Sequence, residues 1–299
     1  MDKKGLMEFA NEMKAAVKLK TDKEVEIVKS SKTNGCTLTG LSITTDNDII
    51  NTAIYLDKMY EEYLNGMDRE QIVTDIIKMY EDNRDVQEWD ISYLGDYGRV
   101  APLIRAFLVN YGENVEMLQG MPHREFLDLA VVYSIEVELP GTNGGTGGIN
   151  VQNAYMELWG VNETDLYGQA MRNMEHEAMV MDLCEMLGGC IPKGKLKIHE
   201  PNVKMLVLTN KKMWHGAAMV LQTETLDNAC MQMQTERLII IPSSIHETIL
   251  IPYGEDDMNE IDEMINEVNR EYLDITEVLS GHPYIYDKGT KTVSMADGT

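Results

Sequence analysis

The chain predicts an α+β fold: mixed or antiparallel sheets of short strands, covered by helices. Three observations lead there. Runs of strand length stand in adjacent pairs, as in "EVEIVKS" with "TLTGLSITT" and "RLIIIP" with "TILIP". Strands joined by short turns pair antiparallel, whereas a doubly wound parallel sheet needs a crossover, usually a helix, between successive strands. Between the pairs lie segments with apolar residues three and four apart, the spacing of a helix with one buried face. Finally, 43% hydrophobic residues in a chain of 299 are enough to fill a sizeable core. A weak recurrence of strand pair followed by helix suggests duplicated units.

Taken in order, "MDKKGLMEFANEMKAAVKLK" sets Leu6, Phe9, Ala10, Met13 and Val17 on one stripe, with lysines elsewhere. It lacks the apolar run of a signal peptide and reads as a docked amphipathic helix. The two strand-like runs that follow are separated by the turn-rich "SKTNGC" and form a hairpin. "NTAIYLDKMYEEYLNG" reads as a helix closed by Gly66, and "MDREQIVTDIIKMYEDN" as a second with Ile72, Ile76 and Met79 on one face. The stretch from Asp85 to Leu118 mixes helix and strand. "LDLAVVYSIEVEL" is a strand, and "INVQNAYMELWG" is extended before it is helical. Asn162 caps the next helix with Asp165 three residues on, a weaker capping box, and Leu166, Ala170 and Met174 share its buried face. "KMLVLTN", "GAAMVLQ", "RLIIIP" and "TILIP" are runs of strand length, with "TETLDNACMQMQ" a helix between the second and third. "DDMNEIDEMINEVNRE" is an amphipathic helix with Met258, Ile261, Met264, Ile265 and Val268 as its stripe. Residues 1–112 form a helix-rich α+β part and residues 113–299 a second α+β part. No Pro/Ser-rich linker separates them, so the two read equally as one continuous unit.

Charge narrows the function. Against 26 Lys and Arg stand 50 Asp and Glu, a formal charge of -24. Such a field repels phosphate backbones and anionic lipid, which argues against direct nucleic-acid or membrane binding. The chain has no apolar run long enough to span a bilayer. Cys36, Cys184, Cys190 and Cys230 are scattered and form no CxxC, as expected of a cytoplasmic protein with reduced thiols. Cys184 and Cys190 read as buried. With 22 Met against 3 Phe, flexible thioethers fill space that aromatics often fill, and at helical spacing they read as core.

Few residues form a recognisable chemical pattern. Glu follows His at His176, His199 and His246, but the positions where HExxH needs its second imidazole hold Val180, Val203 and Leu250. The loop "PGTNGGTGG" lacks both the Gly-Lys-Ser/Thr and the G-x-G-x-x-G of nucleotide cradles, and reads as a hairpin loop. No cofactor or metal is indicated. "LIIIPSSIHETILIP" sets Ser243, Ser244, His246 and Glu247 between two apolar runs. If extended, it would turn Ser244 and His246 to the same side, roughly 6.5 to 7 Å apart at Cα. A serine nucleophile also needs a bonded base, a group orienting that base and oxyanion donors, and no G-x-S-x-G elbow is present. The segment reads as a bend whose polar side chains support it, and as the best binding loop on the chain. The leading expectation is a non-enzymatic protein acting on an unknown protein partner through this loop. The alternatives are a hydrolase centred on Ser243 or Ser244 with His246 and Glu247, and an acidic nucleic-acid mimic that occupies a basic protein.

"VLTN" with "GAAMVL", then "IIIPSSIHETILIP", then "EMINEVNRE" and "EVLSGHPYIYDK" resemble an uncharacterised bacterial family catalogued as a domain of unknown function. "MELWGVNETDLYGQAMRNM" and "IYLDKMYEEYLNG" extend the resemblance over most of the chain. It implies a bacterial, cytoplasmic protein and supplies no activity, substrate, cofactor or catalytic residue. "MQMQTE" departs from the pattern, which has a helix end and a glycine-containing turn there.

Overall fold

A computed structural model describes residues 3–44, 53–84, 92–138, 146–186, 204–254 and 258–296. The chain divides into two compact units, Met1–Tyr93 with Val137–Gly147, and Leu94–Glu136 with Gly148–Thr299. The fold is α+β: among the described residues, three antiparallel sheets of short strands are accompanied by helices.

The first unit begins with α1 (Lys3–Thr21), β1 (Glu24–Ser31), β2 (Thr37–Thr44), β3 (Ala53–Tyr55), α2 (Asp57–Leu64) and α3 (Arg69–Arg84). The predicted stripe of α1 is buried throughout and shares one core with Val25, Leu41, Ile43, Ile54, Ile72 and Ile76. β1 and β2 pair from Glu24↔Thr44 to Ser31↔Thr37, the expected hairpin. The segment read as one helix before Gly66 starts instead as strand β3. Ile54 pairs with Leu41, and the Leu56 N–H donates to the Thr39 carbonyl at 2.8 Å. In α3 the buried arc takes in Ile72, Val73 and Ile76, with Ile77 and Tyr80 beside it, so Met79 falls at its edge and is 46% exposed.

The second unit contains α4 (Tyr97–Val100), β4 (Ile104–Asn110), α5 (Val115–Leu118), β5 (His123–Phe126) and β6 (Leu129–Glu138), then β7 (Thr146–Asn150), α6 (Asn153–Trp159), α7 (Glu163–Met174), β8 (Ala178–Asp182) and α8 (Leu183–Met186). It continues with β9 (Leu206–Asn210), α9 (Thr223–Met233), β10 (Arg237–Pro242), β11 (Thr248–Pro252), α10 (Met258–Glu271), β12 (Tyr284–Asp287) and β13 (Thr292–Met295). The ends of β6 and β7 that face each other in sequence belong to the first unit by the division above. β6 lies between β4 and β5 and also pairs with β7, while the largest sheet runs β13-β12-β10-β11-β9-β8. β4 pairs with β6 from Ile104↔Ile135 to Asn110↔Leu129. That pairing spans residues 112 and 113, and the compact units part between Tyr93 and Leu94, with Val137–Gly147 returning to the first.

Most remaining elements follow the pattern read from the sequence. Asn162 and Asp165 form a complete capping box on α7, with Leu166, Ala170 and Met174 buried beneath it. α10 buries Ile261 and Ile265, with Val268 at the exposed margin. "GAAMVL" differs from its strand reading and forms a 3-10 turn, Gly216–Leu221. Gly216 to Val220 are buried on all sides, so their apolar run carries no period to distinguish strand from helix. Cys184 is exposed on the short α8 rather than buried; Cys190 and His199 lie outside the described residues, as does most of "PGTNGGTGG". Gln234 closes α9 at φ 55°, taking a left-handed position that glycine usually fills. Among the described residues, no helix is long and apolar enough to cross a membrane.

Candidate functional site

β10 and β11 pair from Leu238↔Pro252 to Pro242↔Thr248, leaving Ser243–Glu247 as their connection. The segment is a tight turn rather than an extended run. The N–H groups of Ser243 and Ser244 both donate to the Glu247 carbonyl, at 3.3 and 3.2 Å. Ser244 Oγ accepts from the His246 N–H at 3.0 Å, and Ser243 Oγ donates to Glu247 Oε1 at 3.3 Å. The Ser244 bond to backbone and the Ser243 bond to the Glu247 side chain support a bend that cannot make ladder bonds. Ser244 is 7% exposed, while Ser243, His246 and Glu247 are half-buried. Ser244 thus meets the backbone of His246 and not its ring.

The turn is tied to neighbours far away in sequence. His246 Nδ1 accepts the His215 N–H at 3.1 Å, and Thr209 Oγ1 donates to the His246 carbonyl at 2.8 Å. The Ala217 N–H donates to the Ile245 carbonyl at 3.3 Å, and the Ile245 N–H to the Glu277 carbonyl at 2.9 Å. Because Nδ1 accepts, the neutral ring carries its proton on Nε2, which faces Glu277 Oε1 at 3.7 Å. Gly216 stands where these strands of contact cross. A Cβ there would lie 2.2 Å from Thr209 Oγ1 and 2.6 Å from both Asn210 N and the His246 carbonyl oxygen. "VLTN", "GAAMVL" and "PSSIHE", separate in the sequence, are therefore one packed junction.

His215 is the residue that sequence reasoning passed over. Its backbone sits at φ 55°, ψ 26°, a left-handed conformation uncommon outside glycine. Its ring stacks at 4.4 Å on Phe107 and 4.0 Å on Trp214, with the His246 ring nearly parallel to it at 5.7 Å. Burial, aided by His246, pushes its pKa down to about 3, so the imidazole is neutral. Its Nδ1 is buried and has no hydrogen-bond partner among the described residues. The only local hint was a histidine next to a glycine in "WHGAA"; the stacking partner Phe107 comes from another sheet.

Beside His215 lies a narrow cleft of about 20 Å³ lined by Arg105, Glu136, Glu177, Asn210, Lys212 and Trp214, among others. Its charges neutralise one another. Arg105 Nη2 reaches Glu177 Oε1 at 3.0 Å, Arg105 Nε approaches Glu136 Oε2 at 3.6 Å, and Lys212 also pairs with Glu136. The volume suits a single water-sized group and is far below the roughly 300–1,000 Å³ of small-molecule sites.

A second junction gathers the remaining motifs. From α10, Asn269 Nδ2 donates to the Ser280 carbonyl at 3.0 Å and Asn266 Nδ2 to the Gly281 carbonyl at 3.1 Å. Any side chain at Gly281 would meet Asn266 Oδ1 at 2.7 Å. Ser280 Oγ and the Tyr284 hydroxyl then donate to the two oxygens of Asp128, at 2.9 and 2.7 Å. "EVNRE" and "LSGHPYIYD" are joined through side-chain amides. Among the described residues, no three or more His, Cys, Asp or Glu side chains are grouped to hold a metal ion.

Comparison with curated proteins and with solved structures gives no match. The model of a family of unknown function (DUF5688) matches residues 6–288, which includes both junctions and the turn between β10 and β11. The chain belongs to that family, DUF5688, whose function is unknown.

Proposed function

We propose that this chain is a cytoplasmic bacterial protein without catalysis of its own, acting through protein contacts at the Ser243–Glu247 turn. One observation supports this above others: the groups that look reactive are used to build the turn. Ser244 Oγ holds the His246 backbone, and His246 Nδ1 holds the His215 backbone. The bond from Ser244 Oγ is to the His246 backbone, and the His246 ring is turned to the His215 N–H and Glu277 instead, so this histidine is not placed as a base for the serine. What faces outward is Ser243, Glu247 and the His246 Nε2 edge beside Glu277, fixed in place by the junction. An edge ordered before binding loses little entropy on binding. Its acceptor-rich, acidic character suits a partner that offers Lys, Arg or backbone N–H donors, and the chain's charge of -24 adds long-range attraction to a basic protein.

The test is capture of partners from nuclease-treated native lysate at low and high salt. The tagged wild type is compared with Ser244→Ala/His246→Ala/Glu247→Ala and with Glu247→Lys, which leaves the internal bonds of Ser244 and His246 intact. A protein retained by wild type and lost by both folded variants is the expected outcome. Retention of the same protein by both variants removes the turn as the contact site. Loss of that protein at high salt from wild type, with equal retention by the variants at low salt, transfers the reading to general acidic mimicry. Labelling of Ser243 or Ser244 by a serine-reactive phosphonate replaces it with a hydrolytic one.

A further inference from the structure

We infer that the first unit carries a second docking surface, a methionine-lined groove between α2 and α3 that takes a basic amphipathic helix of a partner protein. Met59 and Ile72 form a buried floor, and Met67 and Met79, 37% and 46% exposed, form the lips of a groove of about 300 Å³. A second hollow of about 460 Å³ shares Met67 and continues past the α2–α3 turn, where Leu64 is 64% exposed. Apolar side chains left in solvent side by side mark a contact surface more often than a lone exposed leucine does. Methionine suits such a surface, because an unbranched, polarisable side chain adapts to the shape of whatever is inserted.

Charge selects the occupant. Glu62, Asp75 and Asp82 line the groove against one cation, Lys78. Two packed helices with an apolar trough match an inserted helix whose anchors recur every three or four residues, and the carboxylate margin calls for Lys or Arg on its flanks. A second copy of this chain fits poorly, since a two-fold contact would set the same acidic margins against each other. Nucleic acid and anionic lipid are repelled by the same field. This surface lies apart in sequence from the Ser243–Glu247 turn, and the inference does not depend on that turn's role.

The experiment uses the full chain and a fluorescent Leu/Lys peptide patterned as an amphipathic helix, read by anisotropy. Its comparators are a peptide of equal composition scrambled to abolish the apolar face and a Leu/Glu peptide of the same pattern. Wild type is expected to bind the patterned basic peptide about tenfold or more tighter than either comparator. Met67→Gln/Met79→Gln, at exposed positions, is expected to lose that preference, as is Glu62→Gln/Asp75→Asn/Asp82→Asn. The Ser244→Ala/His246→Ala/Glu247→Ala variant is expected to bind the peptide as wild type does. Equal binding of the scrambled peptide overturns the inference in favour of diffuse attraction to net charge. Unchanged binding by the folded methionine and carboxylate variants also overturns it. A wild-type dimer in sedimentation that dissociates in the methionine variant assigns the groove to a second copy instead.

Discussion

His215 concentrates three departures from the ordinary: a left-handed backbone, a ring stacked on two aromatic side chains, and a buried nitrogen without a partner. The left-handed backbone and the unpartnered nitrogen each carry a free-energy cost, which the stacking of the ring on Phe107 and Trp214 helps to offset. Its pKa of about 3 lies below the unfolded value near 6.5, and burial is the main cause. The sign of the pH effect follows. Above about pH 6.5 both states are neutral and the contribution is complete, while below it the unfolded chain binds a proton that the folded one refuses. Stability is therefore lost as pH falls from about 6.5 toward 3, at up to about 1 kcal/mol for each pH unit. Urea unfolding at a series of acidic pH values should show this slope, and His215→Asn should flatten it, because asparagine tolerates the left-handed backbone and does not titrate there. An imidazole of His215 that titrates by NMR near its ordinary value would show that the cleft beside it is open to water. Nothing within a few residues of His215 in the sequence is a chemical partner, so the sequence alone does not mark it. Phe107 and His246 reach it only through the fold.

The elements themselves were legible wherever a period was present. The stripe of α1 follows from spacing, because that helix buries one face and exposes the other, and the capping box of α7 from its Asn162 and Asp165. The hairpin of β1 and β2 follows from its turn-rich connection, and β10 and β11 from short apolar runs bounded by turn residues, although β10 is buried along almost its whole length. Reading failed where neither a period nor run length and flanking turns distinguished the alternatives. The run after His215 is buried on every side and became a 3-10 turn, and the start of "NTAIYLDKMYEEYLNG" was claimed by β2 through Ile54 and Leu56. The candidate turn was visible as a bend, but its anchoring to Thr209, His215 and Glu277 was not, since those bonds run between strands and loops more than thirty residues apart. The junction at α10 had the same character: the motifs were evident, and the amide bonds joining them were not. Tyr284→Phe tests its strength. Removing the hydroxyl deprives Asp128 of one of its two buried donors, and a bond to a charged acceptor is worth about 1.5–3 kcal/mol. An unfolding free energy lower by that amount is expected, seen as a lower urea midpoint with unchanged denaturant slope. No loss would mean that water replaces the hydroxyl and that Ser280 alone holds the carboxylate.

Across the whole molecule, acidic composition and buried tyrosines act in the same direction at high pH. The chain already carries a formal charge of -24, so each further negative charge adds to self-repulsion. Tyr133 and Tyr284 have pKa values raised well above the usual phenol, first by burial and then by the neighbouring carboxylates Glu163 and Asp128. Tyr286 is raised as well, by burial and by Asp227. For a raised pKa the contribution is complete below the unfolded value and declines as pH rises through the folded one. Above about pH 10, then, the unfolded chain releases phenolic protons that the folded chain retains, and stability falls. Tyr133 and Tyr284 should each add up to about 1 kcal/mol of loss per pH unit. Salt separates this from general repulsion. Screening weakens interactions between exposed charges beyond about 10 Å at 0.1 M ionic strength, but leaves the desolvation of a buried phenolate nearly intact. Denaturation at alkaline pH in low and high salt should therefore show a slope that survives added salt and is halved or better in Tyr133→Phe/Tyr284→Phe. If salt removes the slope entirely, net charge alone governs alkaline stability. The two hydroxyls would then ionise as easily in the folded protein as in the unfolded chain, which tyrosinate absorbance of the native protein would reveal directly.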